Sequence, residues 1–280
     1  MADVSAADVA ALRKATGAGM MDCKKALAES NGDLEAAKDW LRAKGLAGAS
    51  KRAGRSAEQG AIDVVVDGNV AALVELTCET DFVAKGSDFT STVAALAKQV
   101  ASAGSDNVAD QSFEGTTVGE AVTQLGAKLQ EKIELGRVER YETSDGVVDA
   151  YKHVQNERGT IGVLVELGGI GQDAKAQDVA HDIVLHIASA APRFIRREDV
   201  PADVIEKERV VLEELTRNEG KPEAAIGKIV EGRIGGFYKD NCLLEQGFVK
   251  DPKVTIGQLL EGLGADATVR RFTRVKVGEE

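Results

Sequence analysis

The sequence predicts an α+β fold in which a three-helix N-terminal bundle precedes two repeated subdomains of three-stranded antiparallel sheet with helices. Three features of the chain predict it. Residues 1–46 carry the spacing of short amphipathic helices, and the rest of the chain contains an internal repeat. Each copy of the repeat indicates a strand pair, two helices and a closing strand. Such a unit can bury its apolar side as a sheet with helices on one face.

Residues 1–46 show the start and stop signals of three short helices. The predicted caps are Ser5 and Asp33, and the helices are expected to end at Thr16-Gly17, at Asn31-Gly32 and at Gly45. Three helices in so few residues bury only a small core, and a module of this size is usually a docking unit. The next residues, 47–59, are small, basic and rich in Gly and Ser, so they predict a linker.

Residues 60–143 and 144–280 are predicted to form the two related subdomains. In the first, the turn Asp67-Gly68-Asn69 joins two apolar runs, which is the signal of a β-hairpin. The second strand of each pair contains the same run, Leu-Val-Glu-Leu, at Leu73–Leu76 and at Leu164–Leu167. A longer loop is expected between the two strands of the second copy. The same unit therefore occurs twice.

The later part of each copy matches more closely, and its spacing locates an insertion. Five of eleven positions are identical between Thr117–Ala127 and Thr255–Ala265, but the second copy is longer between about Pro192 and Asp251. This insertion predicts an antiparallel helical hairpin at about 195–245. The apolar residues expected to face each other in it are Ile205, Leu212 and Leu215 on one helix and Ile226, Ile229 and Ile234 on the other.

The net charge of −11 argues against nucleic acid and anionic membranes as partners, because both need a basic surface. No apolar run approaches the roughly 20 residues that span a bilayer, and the N-terminus lacks the apolar core of a signal peptide. The three cysteines, Cys23, Cys78 and Cys242, form no CxxC pair, which fits reduced thiols. We therefore expect a cytoplasmic protein.

The chain shows no pattern of a catalytic or cofactor site. His181 and His186 are five positions apart, which does not align them on one helical face for a metal. Gly232–Gly236 lacks the Lys-Ser/Thr ending of a phosphate-binding P-loop. We expect a protein that is not an enzyme and that uses neither a metal nor a cofactor.

One unusual segment, Glu79–Lys85, follows the second strand of the first copy. The second copy has Gly168–Asp173 at this place, so the repeated fold does not need an Asp-Phe pair there. Two hypotheses fit the pattern. Phe82 could staple a helix start that Asp81 caps, or Phe82 could be an exposed wedge with an acid beside it, directed at a partner.

A second unusual segment contains the adjacent methionines Met20 and Met21. Both cannot point into the core of a tiny bundle, and methionine is common on adaptable binding surfaces. Either Met21 packs inside while Met20 covers a helix end, or the pair contributes to a binding surface.

Two stretches, Thr16–Leu27 and Thr80–Lys85, resemble the signatures of the elongation factor Ts family. The likeness runs over nearly the whole chain and includes Gly159–Leu164, Val230–Arg233 and Thr255–Leu260. Two distinct signatures in the right order, together with the repeated architecture, make the resemblance specific. It implies a guanine-nucleotide exchange factor of bacterial translation that acts on the GTPase elongation factor Tu.

The resemblance also implies roles for particular residues. The three-helix start is similar to a ubiquitin-associated domain and would dock on the GTPase domain of elongation factor Tu. The contacts implied for it are Arg13, Met20, Met21 and Lys24. His153 matches a histidine that touches the same domain from the second repeat. The residues implied to disturb the magnesium site of the partner are Thr80, Asp81, Phe82 and Val83.

Other functions remain open at this point. The chain could be an adaptor whose N-terminal bundle binds ubiquitin-like or peptide ligands. An RNA-binding factor is disfavoured by the acidic charge and by the lack of aromatic–basic runs. The inserted hairpin could serve self-association or contact with a partner, and the sequence favours neither.

Overall fold

The computed structural model describes residues 4–279, apart from the side chain of Leu46. The N-terminal bundle consists of α1 (Ala6–Thr16), α2 (Met20–Glu29) and α3 (Leu34–Arg52). The predicted caps are confirmed, because the side chains of Ser5 and Asp33 accept backbone hydrogen bonds at the starts of α1 and α3. Gly17 ends α1 with a φ of 66°, which glycine adopts without strain. The small core contains Val9, Leu12, Cys23, Ala26, Leu27 and Ala37.

The first subdomain is a three-stranded antiparallel sheet with helices on one face, as predicted. In chain order its elements are β1 (Gln59–Asp67), β2 (Val70–Cys78), α4 (Asp81–Ala84), α5 (Ser87–Ala103), a 3-10 turn (Val108–Asp110), β3 (Ser112–Phe113), β4 (Thr116–Thr117), α6 (Val118–Leu129) and β5 (Ile133–Glu142). The strand order is β1-β2-β5, so β2 lies in the centre. The predicted hairpin signal is confirmed, since Gly68 lies in the turn between β1 and β2 with a φ of 58°.

The second subdomain repeats this arrangement. Its elements are β6 (Val147–Gln155), β7 (Arg158–Gly168), α7 (Ala174–Ala190), a 3-10 turn (Arg197–Asp199), α8 (Ala202–Asn218), α9 (Glu223–Asn241), a 3-10 turn (Leu243–Glu245), β8 (Gly247–Phe248), β9 (Asp251–Thr255), α10 (Ile256–Glu261) and β10 (Thr268–Lys276). The sheet order is β10-β7-β6, and α7 and α10 pack on one face of it. The internal repeat predicted from sequence therefore corresponds to two copies of one structural unit.

The connection between β6 and β7 differs from the prediction of a longer loop. The two strands run on past the predicted ends and meet in a two-residue turn at Asn156-Glu157, with φ values of 51° and 65°. This part of the hairpin projects with most of its side chains exposed, so its sequence is polar and lacks the apolar alternation that indicates a strand. As a consequence, His153 lies in a β-strand.

Helix α3 also differs from its predicted end at Gly45, because it continues to Arg52 and includes the first part of the predicted linker. The small residues there serve helix packing. A Cβ atom at Gly45 would lie 3.5 Å from the Cβ of Ala127 in α6, and Arg42 forms an ion pair with Glu120 of the same helix. Tertiary contact thus overrides the local preference of glycine against helix.

The two sheets pack face to face, which gives four layers in the order helices, sheet, sheet and helices. The residues buried between the sheets are Ile62, Ala71, Leu73, Tyr141, Val148, Leu164 and Val275. A Cβ atom at Gly162 would lie 2.5 Å from Cγ2 of Ile62, and one at Gly159 would lie 2.1 Å from the carbonyl oxygen of Ile62. The two glycines of β7 therefore allow the sheets to approach closely.

The predicted helical hairpin is formed by α8 and α9. Its own small core contains Ile226, Val230 and Ile234, against which Ile205, Leu212 and Tyr238 pack. The prediction was wrong for Leu215, which is 48% exposed. Thr216 takes the facing position instead, where it is fully buried and accepts a hydrogen bond from Arg233 at 3.1 Å. Neither these helices nor any other between residues 4 and 279 is long and apolar enough to cross a membrane.

Candidate functional site

The segment after β2 exposes its aromatic residue to solvent. Thr80 caps the short helix α4 by accepting a hydrogen bond from the amide of Val83 at 3.4 Å. The ring of Phe82 is 79% exposed on this helix, whereas Phe89, in the first turn of α5, is fully buried. The hypothesis that Phe82 staples a helix start capped by Asp81 is therefore wrong, since Thr80 is the cap and Phe82 lies outside the core.

Lys85, which ends the stretch Thr80–Lys85, determines the charge around this ring, a role that its sequence position alone did not indicate. Its ammonium nitrogen lies 2.8 Å from Oδ2 of Asp81 and 4.9 Å from the centroid of the Phe82 ring. The hydrogen bond from Lys85 lowers the pKa of Asp81, and the positive charge of Arg158 acts in the same direction. The exposed surface of α4 thus presents an apolar ring beside a paired carboxylate.

Arg158 connects the β6–β7 hairpin to this segment. It donates a hydrogen bond to the side chain of Gln59 at the start of β1, at 2.9 Å. Gln59 pairs with Cys78, the last residue of β2, so Arg158 lies near the end of the strand from which the chain enters α4. His153 is exposed on the same hairpin, with its Nδ1 atom 3.1 Å from the hydroxyl of Tyr151. The hairpin that carries His153 therefore lies against β1, the strand that precedes β2 and the α4 segment.

The methionine pair is fully on the surface. Met20 and Met21 are 59% and 73% exposed at the start of α2, so the hypothesis that Met21 packs inside is wrong. Arg13 and Lys24 are exposed as well, on α1 and α2. Cys23, Ala26 and Leu27 fill the inner face of α2 instead. The bundle therefore presents apolar sulfur-containing side chains together with cationic ones to solvent.

Lys128 of α6 connects the bundle to the α4 region. Its ammonium group lies 2.8 Å from Oδ2 of Asp88, in the first turn of α5, and its aliphatic chain lies against Gly17 in the α1–α2 loop. Gly17 is close in sequence to the exposed methionines, and Asp88 is close to Phe82. The structure thus places these two predicted site segments on either side of one lysine, although they are far apart in sequence.

Comparison with known proteins agrees with this architecture. A family model described as Elongation factor TS matches residues 79–279. The elongation factor Ts of Arthrobacter sp. (strain FB24) is 46% identical over 283 residues, which cover 99% of this chain and 100% of that protein. Those of Streptomyces avermitilis and Streptomyces coelicolor are each 48% identical over 286 residues, with the same coverage.

The repeated α+β core, the N-terminal helical bundle and these relatives define a translation elongation factor. Within that class, the chain belongs to the elongation factor Ts family.

Proposed function

We propose that this protein is a guanine-nucleotide exchange factor of the cytoplasm, which binds elongation factor Tu and promotes the release of GDP so that GTP can rebind. The observation that carries the proposal is the exposure of Phe82 on a short helix whose Ala84 is buried in the core of the first subdomain. Membership of the elongation factor Ts family supports it. The same role requires no covalent chemistry, and hence no enzyme active site or cofactor in this chain.

The mechanism follows from how a GTPase holds its nucleotide. Such proteins bind the phosphates through P-loop amides, a lysine and a magnesium ion. An exchange factor need only stabilise a partner conformation in which these groups are misplaced. Phe82 would fill an apolar gap between partner helices, and Asp81 would add negative charge near the magnesium site, with Thr80 and Val83 completing the inserted turn.

The energetics set the size of the effect. Exchange factor and nucleotide weaken each other's binding by the same ratio, because the coupling between two sites is reciprocal. A thousand-fold weakening needs about 4 kcal/mol, which is the scale of one or two buried anchor residues. The methionine pair, with Arg13 and Lys24, would supply docking energy, and His153 would add a contact from the second subdomain.

The release of labelled GDP from elongation factor Tu, followed by stopped flow with and without this protein, tests the proposal. We expect acceleration that saturates with the concentration of the factor and a complex that is free of nucleotide. A matched control is Val249→Ala, which shortens an exposed apolar side chain in the second subdomain and should leave release unchanged. Release that is independent of the wild-type protein would contradict the proposal.

The exposed methionine pair is also compatible with an adaptor that binds ubiquitin-like or peptide ligands through its bundle. Capture of partners on the immobilised full chain separates the two functions. An exchange factor should retain a GTPase that carries no nucleotide, and should lose it when GDP is added. An adaptor should retain its ligand regardless of GDP.

A further inference from the structure

Glu131 anchors the loop that carries Phe82. It lies between α6 and β5, and its carboxylate accepts three hydrogen bonds from the chain that follows β2. The donors are the amide of Glu79 (3.0 Å), the amide of Thr80 (3.1 Å) and the hydroxyl of Thr80 (2.5 Å). In the opposite direction, the carboxylate of Glu79 accepts a hydrogen bond from the amide of Lys132, next to Glu131, at 2.6 Å. We call Glu79 and Glu131 the carboxylate clamp.

The clamp fixes Thr80, and Thr80 fixes α4. The hydroxyl of Thr80 that donates to Glu131 also caps α4 by accepting from the amide of Val83. The carbonyl oxygen of Thr80 accepts from the buried thiol of Cys78 at 3.2 Å. A helix of four residues has no stability of its own, so its direction depends on these bonds.

The second subdomain shows that the fold does not need the clamp. Leu76 pairs with Leu135 in the first sheet, as Leu167 pairs with Val269 in the second. At the same distance from the pair on the hairpin strand, the second copy has Ile170 in place of Glu79, and the connection between α10 and β10, residues 262–267, contains no glutamate. Ile170 packs against the apolar core. In the second copy, apolar packing thus takes the place that Glu79 has in the first, and Asp266 meets the chain after β7 through its backbone carbonyl at Gly169.

We propose that Glu131 is a positioning residue for nucleotide release. Through Thr80 it holds α4 so that the ring of Phe82 already has, before the partner docks, the orientation in which it acts on the partner. This inference rests on the proposed exchange function. Without the clamp, residues 79–84 would be ordered only on docking, and the entropy lost there would reduce the binding energy left to displace the nucleotide. Docking through the separate methionine surface would persist.

The first test uses the free protein. Trp40 is the sole tryptophan, so Trp40→Phe with Phe82→Trp places one indole at the exposed position. We expect Glu131→Ala to increase clearly the amplitude of the fast component in the anisotropy decay of this indole. Glu131→Gln should give an amplitude between those of the parent and of Glu131→Ala, since the amide oxygen of glutamine still accepts hydrogen bonds from the backbone amides. The matched control is Asp173→Ala, which removes a carboxylate that caps α7 in the second copy, where it accepts from the amide of Ala176 at 2.8 Å. It should leave the decay unchanged.

The second test uses elongation factor Tu. We expect Glu131→Ala to lower the maximal GDP release rate at saturating factor by about ten-fold or more, while the half-saturating concentration changes less than about three-fold. Asp173→Ala should change neither, although it also loses a helix cap.

An anisotropy decay of Glu131→Ala equal to that of the parent, or a normal maximal release rate, would overturn the positioning role. Failure of the wild-type protein to accelerate release would instead overturn the proposed function, and the anisotropy comparison would still decide whether Glu131 holds α4.

Discussion

The exposure of Phe82 separates its role from that of its neighbour Phe89, although the two lie in adjacent helices. We expect Phe82→Ala to change the free energy of unfolding by less than about 0.5 kcal/mol, as is usual for surface substitutions. Phe89→Ala, the matched control, should cost about 3–5 kcal/mol, because its ring is fully buried. Thermal or denaturant unfolding of the free proteins measures both values.

The same Phe82→Ala protein should release GDP from elongation factor Tu more slowly by about one to three orders of magnitude at saturating factor, which corresponds to about 1.4–4 kcal/mol of lost interface energy. Asp81→Ala should act in the same direction with a smaller effect. If the Phe82→Ala protein unfolded at a clearly lower temperature but released GDP at the normal rate when folded, the role of Phe82 as a wedge would be refuted.

Met20 and Met21 are expected to contribute affinity instead. Replacing both with alanine should raise the apparent Kd for elongation factor Tu by about ten- to hundred-fold, the range expected for anchor residues at an interface. Because both side chains are exposed, the helicity of the bundle should not change. Leu34→Ala, which shortens another exposed side chain of the bundle, should bind normally. If the double variant kept both its affinity and its helicity, the bundle would not be part of the interface with elongation factor Tu.

Sequence patterns located these residues but could not describe their environment. A helix of four residues has no periodicity, so the pattern around Phe82 allowed both a buried and an exposed ring. Glu131 gave no signal, because its partners, Glu79 and Thr80, are about 50 residues away in sequence and meet it only through the pairing of β2 with β5. Such contacts depend on tertiary structure rather than on local residue types.

At the scale of elements, the inserted hairpin of α8 and α9 is expected to be dispensable for folding. The hairpin has an apolar core that is separate from the cores of the two subdomains. Hydrogen bonds between residues 193–195 and 241–244 close the base of the hairpin. Replacing about Val204–Tyr238 with a short linker keeps these bonds. The remaining chain should therefore unfold cooperatively, with a loss of helical signal that matches the deletion. Loss of cooperative unfolding would show that the hairpin is structural.

The main helices and strands of the repeat were predictable, whereas the short strand pairs β3–β4 and β8–β9 and the ends of two elements were not. The repeat, both sheets and the hairpin follow from apolar periodicity and turn residues, which are local properties. Gly45 is a helix stop in isolation, but contact with Ala127 keeps α3 helical beyond it. Asn156-Glu157 lacks the glycine that usually indicates a two-residue turn, so the sequence pattern did not predict where β6 ends and β7 begins.

At the scale of the whole molecule, stability is expected to depend on pH through His186. This residue is buried in the second subdomain, where Nε2 lies 2.9 Å from Oε1 of Gln246, and burial lowers its pKa. The native state therefore resists protonation more than the unfolded state. Stability should be complete above pH 6.5 and should fall as the pH drops below it, by up to about 1.4 kcal/mol per pH unit. Denaturant unfolding between pH 5 and 8 measures this, and His186→Gln should flatten the slope.

The contact between the two sheets is expected to fix the positions of the exposed segments of both subdomains relative to each other, because α4 follows β2 of the first sheet and His153 lies on β6 of the second. A Cβ atom at Gly162 would lie 2.5 Å from Cγ2 of Ile62 and 2.6 Å from Cδ1 of Leu73. Because both side chains are fully packed between the sheets, we expect Gly162→Ala to displace them and to push the sheets apart. We expect a loss of about 1–3 kcal/mol in unfolding free energy, the usual cost of overpacking.

The same displacement should shift α4 relative to the β6–β7 hairpin, and GDP release at saturating factor should therefore slow. The matched control is Gly235→Ala in α9, where an added Cβ meets nothing within 4 Å. This change replaces a helical glycine with a better helix former, so stability should rise by up to about 1 kcal/mol. Its exchange activity should be normal. If Gly162→Ala kept the stability and the GDP release rate of the wild-type protein, the spacing of the sheets would not determine how the two subdomains contact the partner.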